Sequence, residues 1–205
     1  MTGESRIPCA NPAQPAPTAQ TAVQTTVDKA ALRKALAAAR SRLDPAHKAC
    51  CDALIGARVQ AWWRANGDLA DPLAVYWPLR GEPDLSHAYA ELAALGVRLA
   101  LPVVLARDAA LGFAEWTPGE AMVKDSMGVA VPAALRMIAR PPAMLVPCLG
   151  FNAQCYRLGY GGGYYDRTLA APPRPLTAGV AYACQKAQFA SAAHDVALDL
   201  IITEA

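Results

Sequence analysis

The sequence predicts a layered α/β domain with a mostly parallel central sheet, and three observations carry that prediction. Apolar runs of strand length, Leu73 to Trp77 and Val97 to Val104, flank a segment of helical periodicity, Leu85 to Leu95. Such a strand–helix–strand unit joins parallel strands through a right-handed crossover. Apolar residues make up 54% of the 205 residues and charged residues 18%, which indicates a globular chain that buries a real core.

Two helices are predicted before the crossover unit. Asp28 is a suitable N-cap for the first. Asp44 followed by Pro45 starts the second, which ends near Ala65, because aspartate caps a helix and proline fits its first turn. The more polar faces of the first helix carry Lys29, Arg33, Lys34 and Arg40.

Strands again alternate with helices in the second half of the chain, which indicates a layered α/β domain. In chain order we predict a strand at Gly112 to Trp116, a short helix at Pro132 to Ala139, a buried strand at Met144 to Cys148, a helix at Gly163 to Ala170, and strands at Thr177 to Ala183 and Leu198 to Thr203.

Residues 1–27 differ from the rest of the chain. They combine four prolines with alanine, glutamine and threonine, lack apolar periodicity, and carry side-chain charge only at Glu4 and Arg6. This composition predicts a disordered extension, and one arginine is too few for a transit peptide. The working domain is therefore expected to span residues 28–205.

Charge and cysteine usage exclude several classes of protein. The net charge is +2, from 19 basic and 17 acidic residues, which argues against a nucleic-acid or membrane-surface binder. The chain lacks an apolar stretch of membrane-spanning length. Its six cysteines form no metal-binding pattern, so a zinc site is not expected, and we predict reduced thiols and a cytoplasmic protein.

The most informative segment is PCLGFNAQCYRLGYGGGYYD, residues 147–166, in which an apolar strand is followed by a glycine-rich loop and a helix. The consecutive glycines 161–163 remove the Cβ atoms that keep a ligand away from the main chain. Backbone N–H groups and a helix N-terminus then favour an anion, and Arg157 adds a forked cation suited to phosphate. The segment is neither a Walker A loop nor a dinucleotide fingerprint, and on the glycines alone a simple flexible turn is as good an interpretation.

Neighbouring residues favour the functional interpretation. Tyr164 and Tyr165 are suited to stacking on a flat heterocycle or to hydrogen-bonding a ligand. Asp166 either caps backbone donors or holds Mg²⁺ beside a polyphosphate.

RLGYGGGYYDR, preceded by VPCLGF, resembles the signature of the 5-formyltetrahydrofolate cyclo-ligase family, also called 5,10-methenyltetrahydrofolate synthetases. The resemblance covers most of residues 28–203. It includes the opening Lys29-Ala-Ala-Leu-Arg33, the segment YWPLRGEPDL, and the closing GVAYACQ and HDVALDLIITE. It implies a sugar-phosphate isomerase-like α/β/α fold.

The resemblance also implies a reaction and its participants. Family enzymes use Mg-ATP to convert 5-formyltetrahydrofolate into 5,10-methenyltetrahydrofolate through a phosphorylated formyl intermediate. The implied partners are these small molecules rather than nucleic acid or a membrane, and the implied state is a monomer or weak homodimer.

Site residues are implied by position. Arg157 and Tyr164 are the catalytic candidates, and Trp77 and Glu82 bind folate together with Tyr160, Gly161, Gly162, Gly163 and Tyr164. A carboxylate at Glu82 suits the paired donors of a pterin edge. Asp166 and Asp195 are metal candidates, although Asp195 equally suits a turn before the last strand. ATP contacts are assigned to Lys29, Arg33, Arg157, Leu158, Gly159, Tyr160, Gly161, Gly162, Gly163, Tyr164 and Tyr165.

Some positions depart from the family pattern. Met127 stands where the family often has an aromatic, so folate contact from Phe113, Trp116 or Met127 is left open. Two other classes of function remain: a non-catalytic folate-, nucleotide- or RNA-binding regulator on the same fold, and an enzyme of the sugar-phosphate isomerase-like group that uses the same loop without ATP.

Overall fold

The computed structural model describes residues 28–67, 71–79, 81–125 and 127–205. The predicted disordered extension, residues 1–27, lies outside them, so that prediction stays untested. The helices within the described residues are α1 (Lys29–Ser41), α2 (Pro45–Asn66), α3 (Ser86–Ala94) and α4 (Tyr164–Ala170), with a short 3₁₀ turn at Ala183–Gln185.

A seven-stranded sheet forms the centre of the described part of the chain. Its strands are β1 (Leu73–Ala74), β2 (Leu99–Val103), β3 (Gly112–Trp116), β6 (Met137–Ile138), β7 (Ala143–Pro147), β10 (Leu176–Val180) and β11 (Leu200–Ile202). The spatial order is β11-β10-β7-β1-β2-β3-β6. The first five strands of that order are parallel, and β3 and β6 extend the sheet in antiparallel fashion. Two small ribbons lie outside the sheet: β4 (Met122–Lys124) with β5 (Ala130–Pro132), and β8 (Gly150–Phe151) with β9 (Arg157–Leu158).

Caps begin both N-terminal helices as the sequence predicts. The Asp28 side chain accepts a hydrogen bond from the Ala30 N–H at 2.8 Å. The Asp44 side chain accepts one from the His47 N–H at 3.0 Å, and Pro45 occupies the first turn of α2. These contacts satisfy N–H groups that have no partner inside a helix, so they hold each helix start in place.

Alternate residues of the central strands face two separate cores, which confirms the predicted α/β/α layering. Leu99 and Leu101 of β2 pack with α2 and α3, whereas Ala100 between them packs with Leu169 of α4. Successive side chains of a strand point to opposite faces, so both faces of this sheet are covered.

The predicted helix at Pro132 to Ala139 is wrong. Pro132 ends β5, and Met137–Ile138 forms β6, which pairs with Phe113 and Ala114 of β3. The segment's local composition allows a helix, but pairing to a sheet edge distant in sequence decides the outcome. The predicted strand Leu73 to Trp77 is also shorter, because residues after Ala74 leave the ladder and enter the cavity wall described below.

None of the described helices combines the length and apolar character needed to cross a membrane. The cysteines of the described chain, Cys50, Cys51, Cys148, Cys155 and Cys184, are all free thiols.

Candidate active site

A cavity of about 320 Å³ opens at the carboxyl ends of the central strands. Tyr76 and Trp77 follow β1 into its wall, Pro147 ends β7 there, and Pro102 and Val104 come from the end of β2. In open α/β sheets this edge is where ligands bind, because strand ends and the loops after them form a crevice.

Every residue that the sequence assigned to ATP, folate, metal or catalysis lines this one cavity, although the set extends from α1 to the segment before β11. Their individual roles stay predictions. The set is Lys29, Arg33, Trp77, Glu82, Arg157, Leu158, Gly159, Tyr160, Gly161, Gly162, Gly163, Tyr164, Tyr165, Asp166 and Asp195.

The glycine-rich loop between β9 and α4 has a backbone that side chains would disturb. Gly161 has φ +101° and Gly163 has φ +65°, conformations that L-residues rarely adopt. At Gly162 the obstacle is space, because an added Cβ would lie 2.7 Å from the Tyr164 ring. The glycines therefore allow a tight loop whose main chain stays open to the cavity.

Helix α1 is attached to this loop and to the last part of the chain. The Arg33 side chain donates from Nε to the Gly159 carbonyl at 2.8 Å. The Lys29 ammonium contacts Asp195 Oδ2, also at 2.8 Å, and that oxygen accepts a hydrogen bond from the Ala192 N–H. Asp195 thus both closes a turn and pairs with a cation.

The pKa of the Asp195 carboxyl reflects these contacts. Partial burial acts to raise it, but the Ala192 N–H and the Lys29 ammonium favour the charged form and hold the pKa below its ordinary value. The carboxylate is therefore kept ionised at neutral pH.

A second ion pair joins Arg157 and Asp166 at 2.8 Å, with only 6% and 15% of the two side chains exposed. The Arg157 guanidinium also lies 5.0 Å from the centre of the Tyr165 ring, and its Nε has no hydrogen-bond partner among the described residues. The other Asp166 oxygen accepts a longer hydrogen bond from the Val196 N–H at 3.4 Å. The cavity thus presents a cation with donor capacity that the described residues leave unused.

Asp166 and Asp195 are carboxylates of one cavity, as a shared metal role requires, but each pairs with a cation. Within the described residues, no cluster of three or more His, Cys, Asp or Glu side chains is arranged to hold a metal ion. This donor set fits Mg²⁺ in its usual protein environment, where one or two carboxylates act together with substrate phosphates and water.

At the other end of the cavity, Glu82 is 3% exposed and its two carboxylate oxygens have separate donors. The Leu79 N–H donates to Oε2 at 2.9 Å, and the Tyr160 hydroxyl donates to Oε1 at 2.8 Å. Burial and the nearby Glu82 carboxylate raise the pKa of Tyr160 to about 12. The phenol therefore stays protonated and able to donate.

The Tyr160 hydroxyl also contacts Arg40, a residue that the sequence placed on a more polar face of the first helix. Arg40 is only 3% exposed and donates from Nη2 to that hydroxyl at 2.6 Å. The spacing of Lys29, Arg33, Leu36 and Arg40 does put all four on one side of α1, which is the signal that sequence reasoning could have used. The burial of Arg40 depends on the glycine loop and could not be read from that spacing.

Of the three residues left open for folate contact, Met127 lines the cavity and is 60% exposed. Phe113 and Trp116 are instead 2% and 6% exposed, within the two cores on either side of the sheet. Trp77 lies between these roles, because it lines the cavity and also meets Trp116 edge-on, with ring centres 6.1 Å apart.

Sequence reasoning missed other residues of the wall. Asp125 and Val129 come from the loop between β4 and β5, and His194 from the turn before Asp195. His194 directly precedes Asp195 in the sequence, which was the available signal. The loop residues come close only because the ribbon folds over the end of β2, a contact that no local pattern shows.

Together these features define an α/β enzyme with a crevice at its strand ends, lined by cations and by a buried carboxylate. A profile of the 5-formyltetrahydrofolate cyclo-ligase family matches residues 25–204. The chain belongs to this family.

Relatives agree over almost the whole domain. The 5-formyltetrahydrofolate cyclo-ligase of Mycoplasma genitalium is 27% identical over 177 residues, which is 86% of this chain and 98% of the relative. A solved 5,10-methenyltetrahydrofolate synthetase from Mycoplasma pneumoniae has a TM-score of 0.69 and 29% identity, and covers 87% of this chain and 99% of its own. The Aquifex aeolicus 5,10-methenyltetrahydrofolate synthetase has a TM-score of 0.73 and 26% identity, covering 86% of this chain and 89% of its own.

Proposed function

We propose that the protein converts 5-formyltetrahydrofolate into 5,10-methenyltetrahydrofolate with consumption of ATP and release of ADP and phosphate. The observation that carries the proposal is the single cavity that combines the family's glycine loop, two cation–carboxylate pairs and the buried Glu82. Small-molecule substrates follow from membership of the family.

The oxygen of the formyl group on N5 attacks the γ-phosphorus of ATP, and the bond between the γ-phosphorus and the oxygen of the departing ADP breaks. The formyl carbon then carries a phosphate leaving group and is electrophilic. N10 attacks it, its proton is lost, and the former formyl oxygen leaves within inorganic phosphate. Phosphorylation is useful because an amide is a poor electrophile and its oxygen a poor leaving group.

The chain's own residues would act by positioning and charge. Polyphosphate oxygens would compete with the carboxylates for Arg157 and Lys29, and the glycine loop would allow close approach of the main chain. Tyr164 would flank the reacting groups. Glu82 would accept hydrogen bonds from the amino and ring N–H groups of the pterin.

Asp166 and Asp195 are the residues that would hold Mg²⁺. The ion would neutralise charge that develops between the phosphate groups. Release of Arg157 and Lys29 from these carboxylates would leave both cations available to phosphate, so the same exchange serves both ligands.

One assay tests the reaction. Purified protein with 5-formyltetrahydrofolate and Mg-ATP should develop the near-ultraviolet absorbance of the methenyl product. A non-hydrolysable ATP analogue, and ATP with a chelator, are the matched controls. Folded protein that produces no ATP-dependent signal would contradict the proposal.

A second experiment tests the route. Substrate labelled with ¹⁸O in the formyl group should yield inorganic phosphate that carries the label. Recovered substrate measures any exchange of the label with water. Unlabelled phosphate formed from substrate that has kept its label would exclude the phosphorylated formyl intermediate.

A further inference from the structure

Arg40 is a buried cation near the cavity but not part of its wall. It is 3% exposed, and within the described residues the cavity wall includes Lys29 and Arg33 of the same helix but not Arg40. Burial of a guanidinium costs free energy unless its donors are used. Arg40 uses one of them on the Tyr160 hydroxyl, a group that does reach the cavity.

The chemistry of the three partners gives this chain of hydrogen bonds a single direction. An arginine can only donate and a carboxylate can only accept. The Tyr160 hydroxyl must therefore accept from Arg40, at 2.6 Å, and donate to Glu82, at 2.8 Å. Because the Leu79 N–H occupies the other Glu82 oxygen, both ends of the carboxylate are oriented by donors.

Tyr160 is 42% exposed, so surrounding side chains enclose it only in part and a further contact is needed to fix its hydroxyl. The Arg40 guanidinium also lies 5.9 Å from the centre of the Tyr160 ring, so it restrains the ring as well as the hydroxyl. The backbone of the same loop is anchored separately, through Arg33 and the Gly159 carbonyl.

We propose that Arg40 is a positioning residue for the folate end of the cavity: it orients Tyr160, and through Tyr160 it holds the Glu82 carboxylate as a fixed acceptor edge for a flat heterocycle with paired N–H donors. The proposal rests on the proposed function for its assignment of Glu82 to the pterin. It separates the two arginines of α1, since Arg33 serves the loop backbone and Arg40 serves the folate end.

Three variants test it, with KM measured for both substrates. Arg40→Met keeps an unbranched side chain of similar reach without its donors, and Tyr160→Phe removes only the hydroxyl. Each should raise KM for 5-formyltetrahydrofolate about tenfold, the size expected for loss of a charge-assisted hydrogen bond, and change KM for ATP by less than about twofold. Arg40→Lys should recover part of the loss. Arg42→Met, an exposed arginine of the same helix end, is the control and should match the wild type.

A double variant separates positioning from general support of the fold. Because Arg40 acts through the Tyr160 hydroxyl, Arg40→Met combined with Tyr160→Phe should raise KM for folate no further than the larger single effect. Multiplying effects in the double variant would overturn the proposal, as would equal rises in both KM values. An unchanged KM for folate in Tyr160→Phe would also overturn it, and that variant remains informative if Arg40→Met fails to fold.

The wild-type assay keeps this test distinct from that of the proposed function. An active wild type whose Arg40 and Tyr160 variants bind folate normally, by titration calorimetry with 5-formyltetrahydrofolate, contradicts only the role of Arg40. A wild type that neither binds nor converts 5-formyltetrahydrofolate contradicts both.

Discussion

The cavity holds its carboxylates in two different ways. Asp166 and Asp195 are paired with Arg157 and Lys29, charges that a polyphosphate would also attract. Glu82 accepts hydrogen bonds from a backbone N–H and a phenol. Ion pairs can exchange partners when a charged ligand arrives, whereas hydrogen bonds with a fixed direction hold an acceptor in one orientation before a ligand binds. We therefore expect the ion pairs of Asp166 and Asp195 to rearrange on binding and Glu82 to keep its orientation.

The largest effect on the kinetics should come from Asp166, which forms one of the two ion pairs. Asp166→Asn keeps the shape of the side chain but removes its charge, and we expect kcat/KM to fall on the order of a hundredfold, a size typical of lost charge stabilisation at a phosphate. Asp108→Asn makes the same change at an exposed aspartate and is the matched control. It should leave the steady-state kinetics unchanged. Full activity of Asp166→Asn across a series of Mg²⁺ concentrations would show that the metal assignment is wrong.

The glycine loop should give the next largest effect. Gly161→Ala places a Cβ at φ +101°. We therefore expect the free energy of unfolding to fall by about 1–2 kcal/mol and KM for ATP to rise about tenfold. Gly119→Ala has φ +90° and open space around it, and should lose similar stability while its kinetics stay normal. Equal kinetics in the two variants would mean that the loop backbone does not approach the ligand.

A smaller effect is expected at the apolar part of the cavity wall. Met127 lines the cavity but is largely exposed, so Met127→Ala should raise KM for folate only about threefold, because little apolar area is at stake. Leu95→Ala, at an equally exposed residue directly after α3, is the control. A tenfold or larger rise in KM for folate would show that Met127 contributes more to folate binding than its exposure indicates.

The smallest effect concerns stability and pH. Because the pKa of Asp195 is lowered in the folded state, its ion pair contributes stability above the ordinary value of 3.8 and loses it as pH falls through the lowered value. In urea titrations at pH 7, the free energy of unfolding of Asp195→Asn should therefore be about 0.5 kcal/mol lower than that of wild type. This difference should shrink below pH 4. A difference that stays constant with pH would show that the turn at Ala192, rather than the charge, is responsible.

The sequence could predict whatever depends on local signals. The caps at Asp28 and Asp44 follow from residue type, and alternating periods of strand and helix are enough for a layered α/β fold. The segment at Pro132 to Ala139 could not be settled that way, since its second strand exists only because β3 offers an edge. Strand pairing between distant segments is a property of the assembled sheet.

Some residues of the candidate site could also be predicted from the sequence, and others could not. Residues of the glycine loop and the carboxylates beside it stand in a recognisable order, so resemblance was able to suggest them. Arg40 belongs to no such motif, and on sequence it is one more cation of an amphipathic helix. The structure adds what the sequence does not show: Arg40 is 3% exposed and donates a hydrogen bond to Tyr160.

Helix α1 has few buried residues of its own. Leu36 and Arg40 are the buried positions within it, and Leu36 packs against Leu149 and Leu158. The side chains of Lys29, Arg33 and Arg40 also contact residues that line the cavity. A ligand that binds there therefore also fastens the helix to the rest of the molecule. Substrate concentration becomes a term in the stability of the protein, through the linkage that favours any form able to bind.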